Sequence, residues 1–196
     1  MCGIFGQISK KRINKSNLKI IVKHSEQRGV DSSGLIYLDN SQYKVDKADL
    51  NIKKLLRKVK PYNSSIVMGH SRLITNGLSD NQPVVRDNVC VIHNGIIVNE
   101  KEVWDKLEIK RKLKIDSETI VAIASEHIKN GGDILDVSDK ILSLCRGVIA
   151  CALLIPEIGK IVLFSNNGSL YKGVIGDDIY FASEKYALIQ IDCQNI

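Results

Sequence analysis

The sequence predicts an α+β domain built from packed sheets and helices, on three observations. Short strands that are apolar on both faces recur: VCVI at 89–92, GVIACALLI at 147–155 and KIVLF at 160–164. Such strands are usually covered on both sides. Amphipathic helical stretches lie among them and can cover one side, and a second sheet can cover the other. The last third of the chain is strand-rich. Two packed sheets with helices outside satisfy all three observations; periodicity alone does not separate that arrangement from a three-layer sandwich.

Taken in order, the first strand runs over 2–8. Ser16 can cap a helix that reaches about Arg28. The Gly-rich turn RGVDSSG at 28–34 leads into a strand at 35–38, a short partner strand at 43–45 and a basic helix ending at Lys60. A strand follows at 65–69. A polar loop over 74–88, carrying Pro83, separates it from a strand at 89–93. Helices are expected at about 100–107, 117–129 and 134–144. Strands at 148–154, 160–164, 170–172 and 179–182 complete the chain.

With 196 residues, 44% of them hydrophobic, the chain can bury one large core, and two independent domains would be cramped. The longest uninterrupted apolar run, Val148 to Ile155, is eight residues, far short of the ~20 a membrane-spanning helix needs. No secretory signal pattern opens the chain, so a cytoplasmic protein without membrane attachment is expected. The five cysteines, Cys2, Cys90, Cys145, Cys151 and Cys193, form no disulfide pattern. The net charge of +6 concentrates in KKLLRKVK at 53–60 and KLEIKRKLK at 106–114. These read either as an anion-binding patch or as solvated helix faces. The absence of interleaved aromatics favours the latter, with no nucleic-acid partner. Cys90 and His93 form one C-x-x-H pair where zinc needs four ligands, so no metal is expected. No G-x-S-x-G elbow is present.

Five segments carry the chemistry: MCGIFG at 1–6, RGVDSSG at 28–34, GHSRLITNG at 69–77, IHNGIIVNE at 92–100 and IDSE at 115–118. In this order and spacing they resemble the class II, N-terminal nucleophile, glutamine amidotransferase domains. The likeness is greatest to the glutaminase half of glutamine–fructose-6-phosphate aminotransferase, and it continues through SNNGSLYKG at 165–173 and FASEKYAL at 181–188. The resemblance implies a four-layer αββα sandwich of the N-terminal nucleophile hydrolase type over 1–196. It implies an activity that needs no cofactor and releases ammonia from L-glutamine to a synthase or sugar-isomerase partner.

Each segment has a chemical reason to be there. A thiol needs a base. With Met1 removed, Cys2 carries one in its own α-amine. Asn94 and Gly95 can supply a side-chain and a backbone donor to the tetrahedral oxyanion, although Asn-Gly between apolar runs also reads as a hairpin turn. Arg72 can grip the α-carboxylate of glutamine in a two-pronged hydrogen bond. Asp116 can bind its α-ammonium, and by position it could equally cap the helix that follows. The resemblance assigns these substrate roles, and it places Thr75 and Gly77 in the lining of the glutamine pocket. Arg28 and Asp31 are read as structural support for the site.

The sequence departs from the sugar-aminating enzymes on the Arg72 loop. Leu73 stands where they commonly have tryptophan, and Asn76 where they have histidine; Thr75-Asn76 is similar to glutamate synthases. These departures bear on the acceptor and on ammonia gating. The chain also stops soon after FASEKYAL, with no sugar-isomerase region following, so it reads as a stand-alone glutaminase or a fragment truncated at its C-terminus. Two other functions fit the residues: an amidase acting on another γ-glutamyl amide, and a catalytically silent domain that senses glutamine.

Overall fold

The computed structural model describes residues 2–73 and 81–196. Ten strands form two antiparallel sheets. They are β1 (Gly3–Ile8), β2 (Ser32–Asp39), β3 (Gln42–Ala48), β4 (Ile66–Arg72), β5 (Val84–Arg86), β6 (Val89–Ile97), β7 (Gly147–Ile155), β8 (Lys160–Ser165), β9 (Tyr171–Ile175) and β10 (Asp178–Ala182). The larger sheet has the order β3-β2-β4-β1-β10-β9, and the smaller β5-β6-β7-β8. Helices α1 (Lys15–Glu26), α2 (Ile52–Val59) and α6 (Lys185–Ile189) cover the larger sheet. Helices α3 (Glu100–Trp104), α4 (Ser117–Lys129) and α5 (Val137–Leu144) cover the smaller.

Strand alternation sorts the apolar residues into three cores. Ile4, Ile36, Met68 and Phe181 of the larger sheet meet Cys90, Ile92, Ala152 and Leu154 of the smaller. On the opposite face of the larger sheet, Phe5, Leu35, Val67 and Tyr180 pack on Leu18, Ile21, Leu55 and Leu188 of the helices. On the opposite face of the smaller, Val89, Val91, Cys151 and Leu153 pack on Ile120, Ile123, Val137 and Ile141. Each large aliphatic side chain so buried contributes about 1.5–3 kcal/mol. The result is a four-layer αββα sandwich, and the strands that are apolar on both faces are those with a sheet on one side and a helix on the other.

Local chemistry moves several boundaries from their expected places. Asn14, not Ser16, caps α1: its Oδ1 accepts from the N–H groups of Ser16 and Asn17 at 3.0 and 3.1 Å. Helix α2 is capped by Asn51, whose side chain accepts from Lys54 N–H. The polar loop expected before residue 89 contains strand β5, too short to show a period. Strand β4 extends to Arg72, so this arginine ends a strand rather than sitting in a loop. The largest correction concerns Asn94-Gly95. They form no hairpin turn but lie within β6, with Asn94 opposite Ala150 and Gly95 opposite Ile149. Partner strand β7 carries the pairing straight through both residues, and this long-range pairing overrides the local turn preference. At the far edge, β9 takes a single bridge from Gln194 to Val174.

One buried group between the sheets is polar without compensation. His70 on β4 is fully buried, and neither ring nitrogen has a hydrogen-bond partner of good geometry among the described residues. Burial, then Arg72 and His93, push its pKa down to about 3, against a weaker opposing pull from the His93 carbonyl. The unfolded chain takes that proton near the ordinary value of 6.5. Between those values the unfolded state binds more protons, so stability falls as pH is lowered through the window. From pH 7 to pH 5 the loss attributable to His70 is roughly 2 kcal/mol. Urea unfolding at the two pH values should show His70→Leu losing less stability than the wild type by about that amount. Equal losses would contradict the assignment.

Candidate active site

A pocket of ≈ 180 Å³ opens where the two sheets part at one end. Among the described residues it is lined by Cys2, which precedes β1, Arg72 at the end of β4, His93 and Gly95 on β6, and Asp116 just before α4. Four of the sequence-predicted residues, Cys2, Arg72, Gly95 and Asp116, therefore meet in one place. Asn94 adjoins them. By strand alternation its side chain projects between the sheets with Cys90 and Ile92, 4% of the residue being exposed. It is not among the pocket-lining residues. Thr75 and Gly77 lie outside the described residues.

Cys2 is fixed through its backbone, and the segments around it are packed on one another. Arg28 Nε donates to the Cys2 carbonyl at 2.8 Å, and its guanidinium also pairs with Glu184 at the start of α6. The RGVDSSG turn then packs directly on the arginine strand: Asp31 N–H donates to the Arg72 carbonyl at 3.0 Å. A Cβ on Gly29 would lie 2.3 Å from the Arg72 carbonyl carbon. Burial pushes the Cys2 pKa up. The Leu73 backbone N–H, the chain's amino terminus and Arg72 pull it down, and Asp116 adds to the rise. Burial prevails, so at neutral pH the group is a thiol that needs a base.

The backbone of β6 supplies the most specific feature. Strand β5 pairs only as far as Val91, so beyond that point one edge of β6 has no strand beside it. Three N–H groups follow along that edge. His93 N–H is taken by the side-chain oxygen of Gln82 at 2.5 Å. Ile97 N–H is taken by Asp116 Oδ2 at 3.1 Å. Between them, the N–H of Gly95 faces the pocket. Ile149, opposite Gly95, turns both its backbone groups to Asn166, so β7 does not take it.

Gly95 has φ +154, and a Cβ there would lie 1.8 Å from the Val148 carbonyl oxygen. Only glycine fits. Gly95→Ala should cost at least ~2 kcal/mol in urea unfolding through backbone strain and clash; a loss below about 0.5 kcal/mol would show that this stretch of β6 adapts.

His93 is buried and neutral. Burial lowers its pKa, while Asp116 and the Val148 carbonyl pull it up. Its Nε2 lies 3.4 Å from the Val148 carbonyl oxygen, which can only accept, so Nε2 carries the proton. Its Nδ1 lies 3.3 Å from Ser117 Oγ. Asp116 occupies the N-cap position of α4 but makes no side-chain cap hydrogen bond. Its carboxylate instead turns toward β6 and the pocket, which removes the simple helix-cap reading.

The wall that carries Asp116 has little regular structure and is clasped by buried charge. Glu118 accepts from the N–H groups of Lys112 and Leu113 and from Arg86 Nη1. Arg86 Nη2 donates to the Lys110 carbonyl. The basic stretch at 106–114 forms no helix, against expectation, and its end at Lys114 is part of the pocket wall. The sequence reading missed Gln82, Glu100 and Lys114, which also line the pocket. For Glu100 the signal was available, since it ends the IHNGIIVNE segment. For Gln82 and Lys114 none was.

Two pocket residues, Leu73 and Ile96, are exposed aliphatics, as are Val148 opposite Ile96 and Val30 beside the Arg72–Leu73 backbone. The mouth therefore has an apolar rim around a polar interior. Among the described residues no group of three or more His, Cys, Asp or Glu could hold a metal ion, and no helix is long and apolar enough to cross a membrane.

Residues 70–190, more than half of the chain, match the glutamine amidotransferase domain family. The chain belongs to that family. Within it, the domain is of the class II, N-terminal nucleophile type. It is 31% identical over 206 residues to a glutamine–fructose-6-phosphate aminotransferase (isomerizing) of Wigglesworthia glossinidia brevipalpis, covering 97% of this chain and 33% of that protein. It is also 31% identical over 196 residues to one of Sulfolobus acidocaldarius, covering 94% of this chain and 33% of that one. The amidotransferase domain thus spans about a third of the length of these relatives. Its fold matches glutamine phosphoribosylpyrophosphate amidotransferase from B. subtilis with a TM-score of 0.77 at 22% identity, over 98% of this chain and 44% of that one.

Proposed function

We propose that this domain, a single glutaminase unit over residues 1–196, hydrolyses L-glutamine to glutamate and ammonia through a thioester on Cys2. The observation that carries this reading is one pocket holding a thiol, the inward-facing N–H of Gly95, a guanidinium and a carboxylate. A zwitterion with an amide at its far end needs those four groups. Arg72 takes the α-carboxylate by a two-pronged hydrogen bond, and Asp116 takes the α-ammonium. Thr75 and Gly77, which the resemblance assigns to the glutamine pocket, lie outside the described residues. The amide carbon then lies against the thiol.

Chemistry follows from the protonation states. The Cys2 thiol is protonated at rest, so the α-amine freed by removal of Met1 accepts its proton as sulfur attacks. The carbon–sulfur bond forms and the carbonyl π electrons move to oxygen. Gly95 N–H and the Asn94 side-chain amide hold that oxyanion. As the intermediate collapses, the amine gives its proton to the departing nitrogen, and ammonia leaves. Water adds to the thioester with the amine again as base, and glutamate departs. No metal or cofactor takes part. The ammonia passes to a synthase or sugar-isomerase domain or subunit that aminates an acceptor, a sugar phosphate by analogy with the named relatives. The apolar rim at Val30, Leu73, Ile96 and Val148 supports docking of such a partner over the mouth, since it would bury exposed aliphatic surface.

Intact mass and glutamate release, measured on the same preparation, test the reading. Protein lacking Met1 should form glutamate, and Cys2→Ala should lower the rate on the order of 10³-fold or more. Full activity in Cys2→Ala would overturn the mechanism. Arg72→Lys keeps the charge but loses the planar fork, and should raise KM for glutamine by roughly tenfold or more with a smaller change in kcat. An unchanged KM would move the α-carboxylate elsewhere.

A further inference from the structure

The pocket contains a second carboxylate that the mechanism above does not use. Glu100 opens α3 and lines the same pocket as Cys2, Arg72 and Asp116. It is held from behind, where Arg111 Nη2 donates to Glu100 Oε2 at 2.6 Å. Arg111 is itself fixed, donating to the carbonyls of Leu113 and Lys114 at 2.7 and 2.9 Å. The partly exposed Arg111 guanidinium thus anchors one oxygen of Glu100 and Thr119 adds a side-chain hydrogen bond, while the residue lines the pocket.

The two carboxylates are electrostatically linked. Burial raises the Glu100 pKa, Arg111 pulls it down and Asp116 raises it again. Two like charges bordering one small space repel, and a cation between them relieves both. Asp116 also enters with part of its capacity committed: Oδ2 accepts from Ile97 N–H, and Ser117 Oγ lies 3.5 Å from Oδ1. A primary ammonium brings three N–H donors, more than the free positions of one tethered carboxylate readily satisfy.

We propose that Glu100 is a specificity-determining residue that shares the α-ammonium group of the substrate with Asp116, and that Arg111 positions it. The assignment rests on the reading that the pocket takes glutamine. It narrows the substrate class to γ-amides of free α-amino acids. An acylated nitrogen, as in an N-acylglutamine or a glutamine within a peptide, has lost the charge that two carboxylates are placed to meet. A substrate without the amine does not bring that cation to the two carboxylates.

Binding to the full chain carrying Cys2→Ala separates recognition from turnover. The probes are L-glutamine and 4-carbamoylbutanoate, which is the same molecule without its amine, with dissociation constants from calorimetry. Adding Glu100→Gln should weaken L-glutamine by roughly tenfold or more, the worth of a hydrogen bond to a charged group. It should leave 4-carbamoylbutanoate unchanged within about twofold. Glu100→Asp, which keeps the charge, should retain more of the glutamine affinity than Glu100→Gln.

An unchanged glutamine constant in Glu100→Gln would overturn the assignment while leaving the glutaminase reading in place. Equal weakening of both probes would overturn it too, because that is the signature of lost packing. No glutamine binding with Glu100 intact would remove the reading of the pocket and this assignment with it.

Discussion

Everything polar at the working end of this protein is placed by the face-to-face packing of one sheet on another. Ile4, Ile36, Met68 and Phe181 against Cys90, Ile92, Ala152 and Leu154 close the gap between the sheets over most of its length. The same inward-facing rows continue along β1, β4 and β6 past the end of that core, where they present Cys2, Arg72 and Asn94. Alternation leaves no freedom here: a one-residue slip in any of the three strands would turn its functional residue to a helix face. The register of the apolar core is therefore also the register of the site.

The second determinant is a mismatch in strand length. Strand β5 is three residues long and its neighbour β6 is nine. An exposed strand edge usually invites unwanted pairing. Here the vacated edge is filled group by group: a glutamine side chain takes one N–H, an aspartate another, and the one between them faces the pocket. The same residue that fixes the strand end also lines the pocket, so the pocket wall and this edge of β6 are mechanically one unit.

Much of this was legible in the sequence, for reasons that differ by element. Strands such as KIVLF and GVIACALLI announce cover on both sides, and four layers are the arrangement that provides it. Cys2, Arg72, Gly95 and Asp116, which the family resemblance marks in the sequence, meet in one pocket. What was illegible depended on contacts distant in sequence. Asn94-Gly95 looks like a turn because local preference favours one; only pairing to residues more than fifty positions away holds it straight. The role of Glu118 has the same origin, since its partners Arg86, Lys112 and Leu113 come together only in the fold. Strand β5 is too short for any period to register.

The clasp of Arg86 and Glu118 has a consequence for how such a domain can change. The residues from 106 to 115 form no strand or helix; they lead into the pocket wall at Lys114 and Ile115 and are gripped at Lys110, Lys112 and Leu113 through their backbone. A grip on backbone is indifferent to side-chain identity. Substitutions at Lys110, Lys112 and Leu113 can therefore be accommodated without loosening the segment that carries Lys114 and Ile115 into the pocket wall. The segment thus holds its course beside the pocket while much of its side-chain sequence is open to change, Arg111 excepted.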